Sequence, residues 1–499
     1  MHGFEVVLTI SNMGYLLVGI LFGVLLGFLP GVGGANGIAI LLPLTFSMDH
    51  TTAIIMLAAI YWGALFGGCI SAILFNIPGE PWSVATTFDG HPLAQQGRAG
   101  EALTASLTSS FIGALIATIV LTFLAPVVAN LALDFGPPEF FSVYLLTFCS
   151  FIGMGRQSPW KIISSMMLGF ALASVGTDQI TGGLRLTFGT ETLINGFSFL
   201  IAVIGLFGIG EIMATIEGGL HFEGRSAKIN PFVVWETWKK LPKYWVTIIR
   251  GTAVGCWLGI TPGGATPASF MSYGLAKRFS KDGDKFGTGM LEGVVAPETA
   301  AHSAGTSALL PMLTLGIPGS PTAAVLLGGL LIWGLQPGPL LFVEQKDFVW
   351  GLIASIYLGN VVGLAIVLST VPFWASIMRI PFSIIAPLIL VICAIGSYTL
   401  SNAPSDIVFM VMFGVIGYLF KKLDYPLAPM VLAIVLGGRA ENSFRQALLG
   451  SQGDLTIFWS NWLVGTITGL SMIMLFWPLI AKGISWLRRG PAAQAGAVG

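Results

Sequence analysis

The chain has 499 residues, of which 55% are hydrophobic and 9% are charged, and its mean hydropathy is +0.85. This composition excludes an ordinary soluble globular protein and is typical of an integral membrane protein. The formal net charge is zero, and neither a nucleic-acid partner nor an enzymatic activity is expected.

Apolar stretches long enough to cross a bilayer recur along the chain. With the shorter stretches between them, they predict about ten to twelve crossings. Helices satisfy their own backbone hydrogen bonds in lipid, and the sequence lacks the alternation of a barrel, so we expect an all-α polytopic membrane protein. The N-terminus has no signal-peptide pattern, so the first stretch is expected to be retained. The long stretches are residues 6–29, 52–75, 102–130, 193–216, 350–371, 404–420 and 461–481.

Two short phrases occur twice in the chain, in the same order. Leu26–Gly31 returns as Leu258–Gly263, and Ile77–Pro81 returns as Ile317–Pro321. Each half of the chain therefore carries two Pro-Gly breaks at matching places. A duplicated apolar chain with matching breaks is typical of membrane transporters, whose substrate site forms where interrupted helices meet.

The positive charges indicate how the chain is oriented. Six basic residues crowd one polar stretch between the repeats, so the positive-inside rule predicts that this connector is cytoplasmic, with docking of an acidic partner as the alternative. These residues are Arg225, Lys228, Lys239, Lys240, Lys243 and Arg250. The predicted division is a first membrane repeat over residues 1–220, a basic cytoplasmic connector over 221–246, a second membrane repeat over 247–490 and a flexible tail over 491–499.

The segment over residues 247–276 is interrupted at Thr261–Ala265. At about 1.5 Å per residue, neither arm can cross a hydrocarbon core of about 30 Å, so the segment is either one broken span or a re-entrant hairpin. Basic residues at both of its ends favour a hairpin that opens to the cytoplasm. The matching segment over residues 15–48 lacks such residues, which predicts an outward-opening hairpin and therefore two inverted repeats.

The first break of each repeat is rich in glycine and precedes an apolar half-helix. Glycine lets a ligand approach the backbone, and the free N–H groups of a helix N-terminus suit a carboxylate. The alternative is that these residues only mark kinks or close helix packing. The predicted substrate-binding residues are Gly31, Gly33, Gly34, Asn36, Gly263, Gly264, Thr266 and Ser269.

The second break of each repeat offers hydroxyl and carbonyl oxygens that could hold a hard cation such as Na⁺. Pro81 and Pro321 fit the first turn of the helix that follows each break. The predicted coupling-ion or gating residues here are Asn76, Pro78, Gly79, Glu80, Pro318, Gly319 and Ser320. None of the four breaks contains a Lys or Arg, so an anionic substrate would meet backbone N–H groups, hydroxyls and a co-bound cation instead.

Three ionisable residues, Glu292, Glu298 and His302, lie in an otherwise apolar run. Glu298 and His302 are four residues apart, so these two share one helix face and could form a hydrogen bond. Ionisable groups inside a membrane are functional candidates, and we add both to the predicted coupling-ion or gating set. The alternative is that Glu292, or Glu292 together with Glu298, lies near the membrane surface. A metal site would need a further ligand that the sequence does not supply nearby, so no metal and no cofactor is expected.

Long motifs of the chain resemble the large membrane subunit of the tripartite tricarboxylate transporter family. The resemblance runs from about residue 10 to residue 480. The motifs are Phe28–Gly34 through Leu41–Phe46, Asn76–Pro81 with Asp89–Gly90, Phe135–Phe140, and Leu315–Ser320 with Gly334–Pro339.

This resemblance implies a multi-pass permease of the bacterial inner membrane that takes up citrate-like di- and tricarboxylates. It also implies two partners, a small membrane subunit and a periplasmic substrate-binding protein, and an ion gradient of Na⁺ or H⁺ as the energy source. The absence of a P-loop agrees with that source. The chain departs from the family pattern at Ala301–His302, where an Asn pair is usual, and His302 could introduce pH dependence.

We therefore predict a secondary transporter, a symporter, that works by alternating access. The first alternative is a passive anion channel in which the same breaks form a filter. The second is an intramembrane metal enzyme centred on Glu298 and His302, which would give the breaks of the first repeat no purpose. A homodimer is possible, and the sequence does not decide between Na⁺ and H⁺.

Overall fold

The computed structural model describes residues 2–29, 33–76, 78–154, 158–178, 180–218, 231–261, 264–377 and 382–488. Within these ranges the chain is helical almost throughout, and its strands form one short antiparallel pair, β1 (Gly176–Thr177) and β2 (Leu184–Arg185). The predicted all-α class is confirmed.

The chain forms two compact units. Unit 1 consists of Met1–Leu133 and Phe197–Asp424, and unit 2 consists of Asp134–Gly196 and Tyr425–Gly499. The helices of unit 2 are α7 (Pro137–Met154), α8 (Pro159–Ala173), α21 (Leu427–Gly450) and α22 (Trp462–Arg488). The helices of unit 1 are α1 (His2–Val7), α2 (Ile10–Phe28), α3 (Gly33–Leu41), α4 (His50–Phe75), α5 (Val84–Gln95), α6 (Ala99–Ala132), α9 (Phe199–Val203), α10 (Gly210–Gly218), α11 (Pro231–Lys240), α12 (Trp245–Ile260), α13 (Ala265–Phe279), α14 (Glu292–Ser307), α15 (Leu309–Leu315), α16 (Pro321–Ile332), α17 (Leu341–Glu344), α18 (Lys346–Ile377), α19 (Phe382–Ser401) and α20 (Pro404–Lys422).

Among the described residues, five helices are long and apolar enough to cross a membrane, and five more helical segments are apolar but shorter. The five long ones coincide with five of the stretches predicted from the sequence, so the chain is a multi-pass membrane protein. The number of crossings stays a prediction. The long spans are Ile10–Phe28, His50–Phe75, Ala99–Ala132, Lys346–Trp374 and Pro404–Lys422.

In unit 1, helices α2 and α4 pack side by side through small residues. A Cβ atom at Gly19 would lie 2.5 Å from the carbonyl oxygen of Met56, and one at Gly27 would overlap the backbone of Ala64. Close approach of this kind is the usual packing of membrane helices at small residues. Because the residue numbers rise together along the two helices, α2 and α4 are parallel, and the intervening α3 has to run back between their ends.

The second half of unit 1 repeats this plan with α12, α13 and α14. A Cβ atom at Gly251 would lie 3.2 Å from the carbonyl oxygen of Ala296, and one at Gly259 would overlap the backbone of Ala304, so α12 and α14 are parallel. The guanidinium of Arg250 lies 4.6 Å from the centroid of the Phe279 ring, which joins the first turns of α12 to the end of α13. The two arms therefore fold back on each other as a helical hairpin.

The two sets of helices meet where α4 crosses α14. A Cβ atom at Gly305 would lie 2.8 Å from Cδ1 of Leu65, and the rings of Phe66 and His302 are 4.8 Å apart. One helix turn further along α4, Cys69 faces Glu298, which lies one turn before His302 on α14. The hydroxyl of Thr86 in α5 also reaches Glu298. The residue numbers rise on one side as they fall on the other, so α4 and α14 are antiparallel.

Candidate functional site

The first two breaks of the chain meet at the N-terminus of α3. The backbone N–H of Gly34 donates a hydrogen bond to Oε1 of Glu80, whose side chain is buried. Gly33 has a φ of +68°, a conformation that favours glycine, and a Cβ atom there would lie 3.0 Å from both carboxylate oxygens. The break thus points free amide groups of a helix N-terminus at a carboxylate, which is the anion such a terminus prefers.

The other two breaks meet in the same way at the N-terminus of α13. Gly264 has a φ of +69°, and a Cβ atom there would lie 3.5 Å from the carbonyl oxygen of Gly319 and 3.6 Å from Cβ of Ser320. Ser320 also caps α16, because its hydroxyl accepts a hydrogen bond of 3.1 Å from the N–H of Ala323. Here the glycine faces a hydroxyl residue where the first pair faces a carboxylate.

Both pairs lie against adjacent turns of α4. The hydroxyl of Tyr61 is 3.1 Å from that of Ser320, and a Cβ atom at Gly34 would lie 3.0 Å from Cβ of Ala64. That same Cβ atom would lie 3.5 Å from Cγ2 of Thr322, in the first turn of α16. Tyr61 and Ala64 are three residues apart on one face of the helix, so the four breaks converge on one region of unit 1.

A further hydrogen bond links the halves of the chain on the other side of this region. The hydroxyl of Ser269 donates to the carbonyl oxygen of Trp82 over 2.7 Å, and Ser269 is fully buried. Trp82 lies in the short helical turn that begins at Pro81. The second arm of each hairpin therefore contacts the helix start after the second break of the other half, α3 with α16 and α13 with Pro81–Ser83.

The remaining predicted residues occupy different surroundings. Asn36 is buried within α3, Thr266 is half-buried in the first turn of α13, and Gly79 is buried. Asn76 is exposed in the left-handed conformation that ends α4, and Pro78 is half-buried. Pro318 is buried in the break before α16. Gly31 and Gly263 lie outside the described residues.

Glu298 and His302 lie at the centre of a buried polar cluster. The carboxylate of Glu298 accepts hydrogen bonds from the hydroxyls of Thr86, at 2.5 Å, and Ser110, at 3.4 Å. Nδ1 of His302 is 3.8 Å from Oε2 of Glu298 and 3.2 Å from its backbone oxygen. Both side chains are at most 1% exposed, so they are buried within the protein.

Sequence reasoning missed several residues of these sites. Tyr61 and Ser110 lie inside continuous apolar helices, where nothing in the local pattern marks them. Asp89 was noted only as part of a family motif, yet its Oδ1 accepts three backbone hydrogen bonds, from Gly287, Gly289 and Met290. Only a tertiary contact brings this carboxylate to the loop between α13 and α14.

The fold and the converging breaks define a multi-pass membrane protein of the transporter class. The chain matches the family described as the tripartite tricarboxylate transporter TctA family over residues 13–432. It therefore belongs to this family and is a membrane component of tripartite tricarboxylate transport, which confirms the resemblance found in the sequence.

Two curated relatives come from Agrobacterium vitis. An uncharacterized 52.8 kDa protein in the TAR-I ttuC' 3'region is 37% identical over 477 residues, which covers 95% of this chain and 94% of the relative. An uncharacterized protein in the TAR-II ttuC' 3'region is 35% identical over 227 residues, which covers 45% of this chain and 94% of the relative. No solved structure is detectably similar to the chain.

Proposed function

We propose that this chain is the permease subunit of a binding-protein-dependent secondary transporter that takes up citrate-like di- and tricarboxylates. It would lie in the bacterial inner membrane beside a small membrane subunit and receive substrate from a periplasmic binding protein. Membership of the tripartite tricarboxylate transporter family supports the substrate class and the two partners.

The hydrogen bond from Gly34 to Glu80 is the observation that carries the proposal. It places a carboxylate at the N-terminus of α3, where the backbone amides carry about half a positive charge. We infer that Glu80 holds this position when no substrate is bound, and that a substrate carboxylate replaces it. Gly31, Gly33, Gly34 and Asn36 would then form one half of the substrate site.

The second hairpin would supply the other half through Gly263, Gly264, Thr266 and Ser269. A di- or tricarboxylate carries more than one negative group, and two helix N-termini on adjacent turns of α4 can bind two of them. Ser320 faces Gly264 with a neutral hydroxyl, so this half would accept a carboxylate without displacing a charge.

We infer from the negative charges at the site that a cation is transported together with the substrate. Glu80 and the substrate are both negative, and none of the described residues at the breaks is a Lys or Arg. Burying uncompensated charge costs several kcal/mol per ion. A coupling ion, Na⁺ or H⁺, that enters with the substrate would remove this cost and link uptake to the ion gradient.

The antiparallel arrangement of α4 and α14 supports alternating access by two inverted repeats. Each repeat would contribute one re-entrant hairpin and one interrupted helix, and the site would open to either side as one part moves against the other. Asn76, Pro78 and Gly79 in one repeat, and Pro318, Gly319 and Ser320 in the other, would shape the moving breaks and the coupling-ion side.

Uptake into proteoliposomes tests this function. The purified chain, its small membrane subunit and the binding protein would be tested for saturable counterflow of labelled carboxylates, with Gly34→Val, Gly264→Val and the control Gly274→Ala, whose new Cβ atom meets nothing within 4 Å. We expect both valine variants to abolish counterflow and the control to retain it. Undiminished counterflow in both valine variants would contradict the site, and non-saturable flux without an ion gradient would indicate a channel.

A further inference from the structure

One face of α14 carries three polar side chains at intervals of four residues. Glu298, His302 and Thr306 are each at most 1% exposed. Residues four apart lie above one another on a helix, so the three side chains form a polar file inside unit 1. The polar face is costly in an apolar membrane helix, and such groups usually mark an ion or proton pathway.

Several polar atoms along this file lack a partner among the residues that the structure describes. Within that part of the chain, Nε2 of His302, Oγ1 of Thr306 and both polar atoms of the Asn360 side chain have no hydrogen-bond partner, although all are buried. Leaving a buried polar atom unpaired costs about 1–3 kcal/mol. Several such atoms in one region indicate internal water, which typically makes about three hydrogen bonds to such groups.

Asn360 belongs to the same region by its position on α18. A Cβ atom at Gly363 would lie 2.9 Å from the ring of Phe66, and that ring contacts the ring of His302. Asn360 precedes Gly363 by three residues and so lies on the same side of α18. The file on α14 therefore continues towards α18.

The file reaches towards a surface at each end. At one end, the hydroxyl of Thr86 donates a hydrogen bond to Glu298. One turn further along α5, the carboxylate of Asp89 accepts a hydrogen bond from the N–H of Gly287, which is exposed. At the other end, Tyr357, one turn before Asn360, lies 2.9 Å from Thr122. Both residues line a cavity of about 380 Å³ whose other walls are Gly3, Phe4, Trp350, Ile353 and Ala354.

We propose that this polar file is a hydrated proton path and that the proton is the coupling ion of the transporter. The inference rests on the proposed function and goes beyond it by choosing H⁺ over Na⁺. The unpaired imidazole nitrogen of His302 can accept a proton, whereas Na⁺ prefers oxygen ligands. Water and imidazole together can pass a proton along such a file.

The hydrogen bond at Nδ1 fixes how His302 would act. Nδ1 is 3.2 Å from the carbonyl oxygen of Glu298, which can only accept, so Nδ1 carries the hydrogen and Nε2 carries the lone pair. A proton from water binds Nε2, and Nδ1 then releases its own proton to Oε2 of Glu298. The imidazole returns to its neutral form as the other tautomer. Water in the file then takes the proton from Nε2 and supplies one to Nδ1, which restores the first tautomer, and the carboxylic acid later releases its proton on the Thr86 side.

The ionisable groups around Glu298 leave only a proton to neutralise the negative charge of its carboxylate. Among the described residues, Cys69 of α4 faces it, Glu292 lies six residues earlier on α14, and Asp89 of α5 touches Gly293. Tyr61 lies near Gly305, and Glu80 lies in the break after α4. The helix α6 contributes only hydroxyls here, Ser106 and Ser110. None of these groups is a permanent cation.

The inference can be tested with proteoliposomes that contain the transporter and enclose a pH-sensitive dye, which reports the pH of the lumen. In Na⁺-free buffer, an inward proton gradient should drive carboxylate accumulation and acidify the lumen together with substrate. An Na⁺ gradient at equal pH on both sides should drive neither. Accumulation that follows the Na⁺ gradient, or substrate entry without lumen acidification, would overturn the proposal, whatever the variants below show.

Variants of the file separate coupling from transport. Glu298→Gln should abolish proton-driven accumulation and retain carboxylate counterflow, while Glu298→Asp should restore part of the accumulation. His302→Gln should slow proton-driven uptake by about 10²-fold, the lower end of the range for a lost proton-transfer group. Ser303→Ala, on the same helix but with its hydroxyl bonded to the Thr299 carbonyl, is the control and should change neither.

The outcomes distinguish failure of the proposed carboxylate transport from failure of the proposed proton path. Loss of counterflow in the wild-type protein would reject the proposed carboxylate transport itself. Wild-type counterflow with full accumulation by Glu298→Gln would reject only the proton path. If Glu298→Gln does not fold, the dye signal of the wild-type protein decides.

Discussion

The two hairpin sets of unit 1 share a backbone plan but not the chemistry at their tips. In each set a glycine with a φ close to +70° starts the second arm, Gly33 in one and Gly264 in the other. At the matching place in the second break, however, the first set carries Glu80 and the second carries Ser320. Duplication has therefore preserved the geometry of the breaks, while one tip faces a charge and the other a neutral hydroxyl.

A second difference lies nine residues beyond these residues. Asp89 of the first set binds three amide groups of the loop between α13 and α14. The residue at the same spacing in the second set is Gly329, which meets only apolar side chains. The carboxylate of the first set is therefore hydrogen-bonded to this loop, and the matching glycine of the second set can make no such bond.

The largest expected effect tests the part that the two sets share. A Cβ atom at Gly79 would overlap the carbonyl oxygen of Gly27, and one at Gly319 would lie 2.5 Å from the carbonyl oxygen of Gly259. We expect Gly79→Ala and Gly319→Ala to abolish counterflow alike and to destabilise the fold by about 1–3 kcal/mol, because backbone cannot yield as a side chain does. Thermal unfolding in detergent would check this.

Gly14→Ala is the matched control, because a Cβ atom at Gly14 meets nothing within 4 Å. It should unfold at the wild-type temperature. Normal transport by either of the two variants would show that the two sets are not packed alike.

Much of this arrangement could be predicted from the sequence, because glycine and proline act locally. The half-helices after each break and the first-turn positions of Pro81 and Pro321 are confirmed, since proline fits where a helix lacks a hydrogen-bond acceptor for its N–H. The contact between Gly34 and Glu80 could not be predicted, because a side-chain contact over 46 positions depends on how α2, α3 and α4 pack.

The buried cluster shows the same limit. The spacing of Glu298 and His302 predicted one shared face, and the structure places both on it. Their partners Thr86 and Ser110 come from other helices with no signal in their own surroundings. The roles of all these residues, the boundaries of the repeats and the coupling ion stay predictions.

Removing the charge of the Asp89 carboxylate should have the next largest effect. Asp89→Asn keeps the shape of the side chain but removes its charge, and hydrogen bonds to charged groups contribute about 1.5–3 kcal/mol. We expect lower thermal stability and faster proteolysis in the loop over residues 280–291. Thr87→Ala, which loses only a hydroxyl bonded within α5 to Val84, should behave as wild type. Equal proteolysis of both variants would show that the charge of Asp89 is not needed to stabilise this loop.

The difference between Glu80 and Ser320 gives a test of smaller effect. Glu80→Gln removes the charge that competes with substrate at α3, so we expect substrate to bind about tenfold more tightly, equivalent to about 1.4 kcal/mol. Ser320→Ala removes a helix cap, which costs about 1 kcal/mol of stability, and should leave affinity nearly unchanged. Equilibrium binding of labelled carboxylate measures both. Weaker binding by Glu80→Gln would show that the carboxylate assists substrate and does not compete with it.

The smallest effect separates backbone strain from charge at the two tips. Gly33→Ala and Gly264→Ala impose the same left-handed conformation on alanine, at a cost of about 1–2 kcal/mol each. At Gly33 the new Cβ atom also presses on the Glu80 carboxylate, at 3.0 Å, whereas at Gly264 its nearest neighbour is 3.5 Å away. We therefore expect Gly33→Ala to lose slightly more stability in thermal unfolding, and combination with Glu80→Gln to leave this difference in place, because the amide fills the same space. If the combination instead makes the two variants equal, charge at the α3 terminus, and not contact, distinguishes the two hairpins.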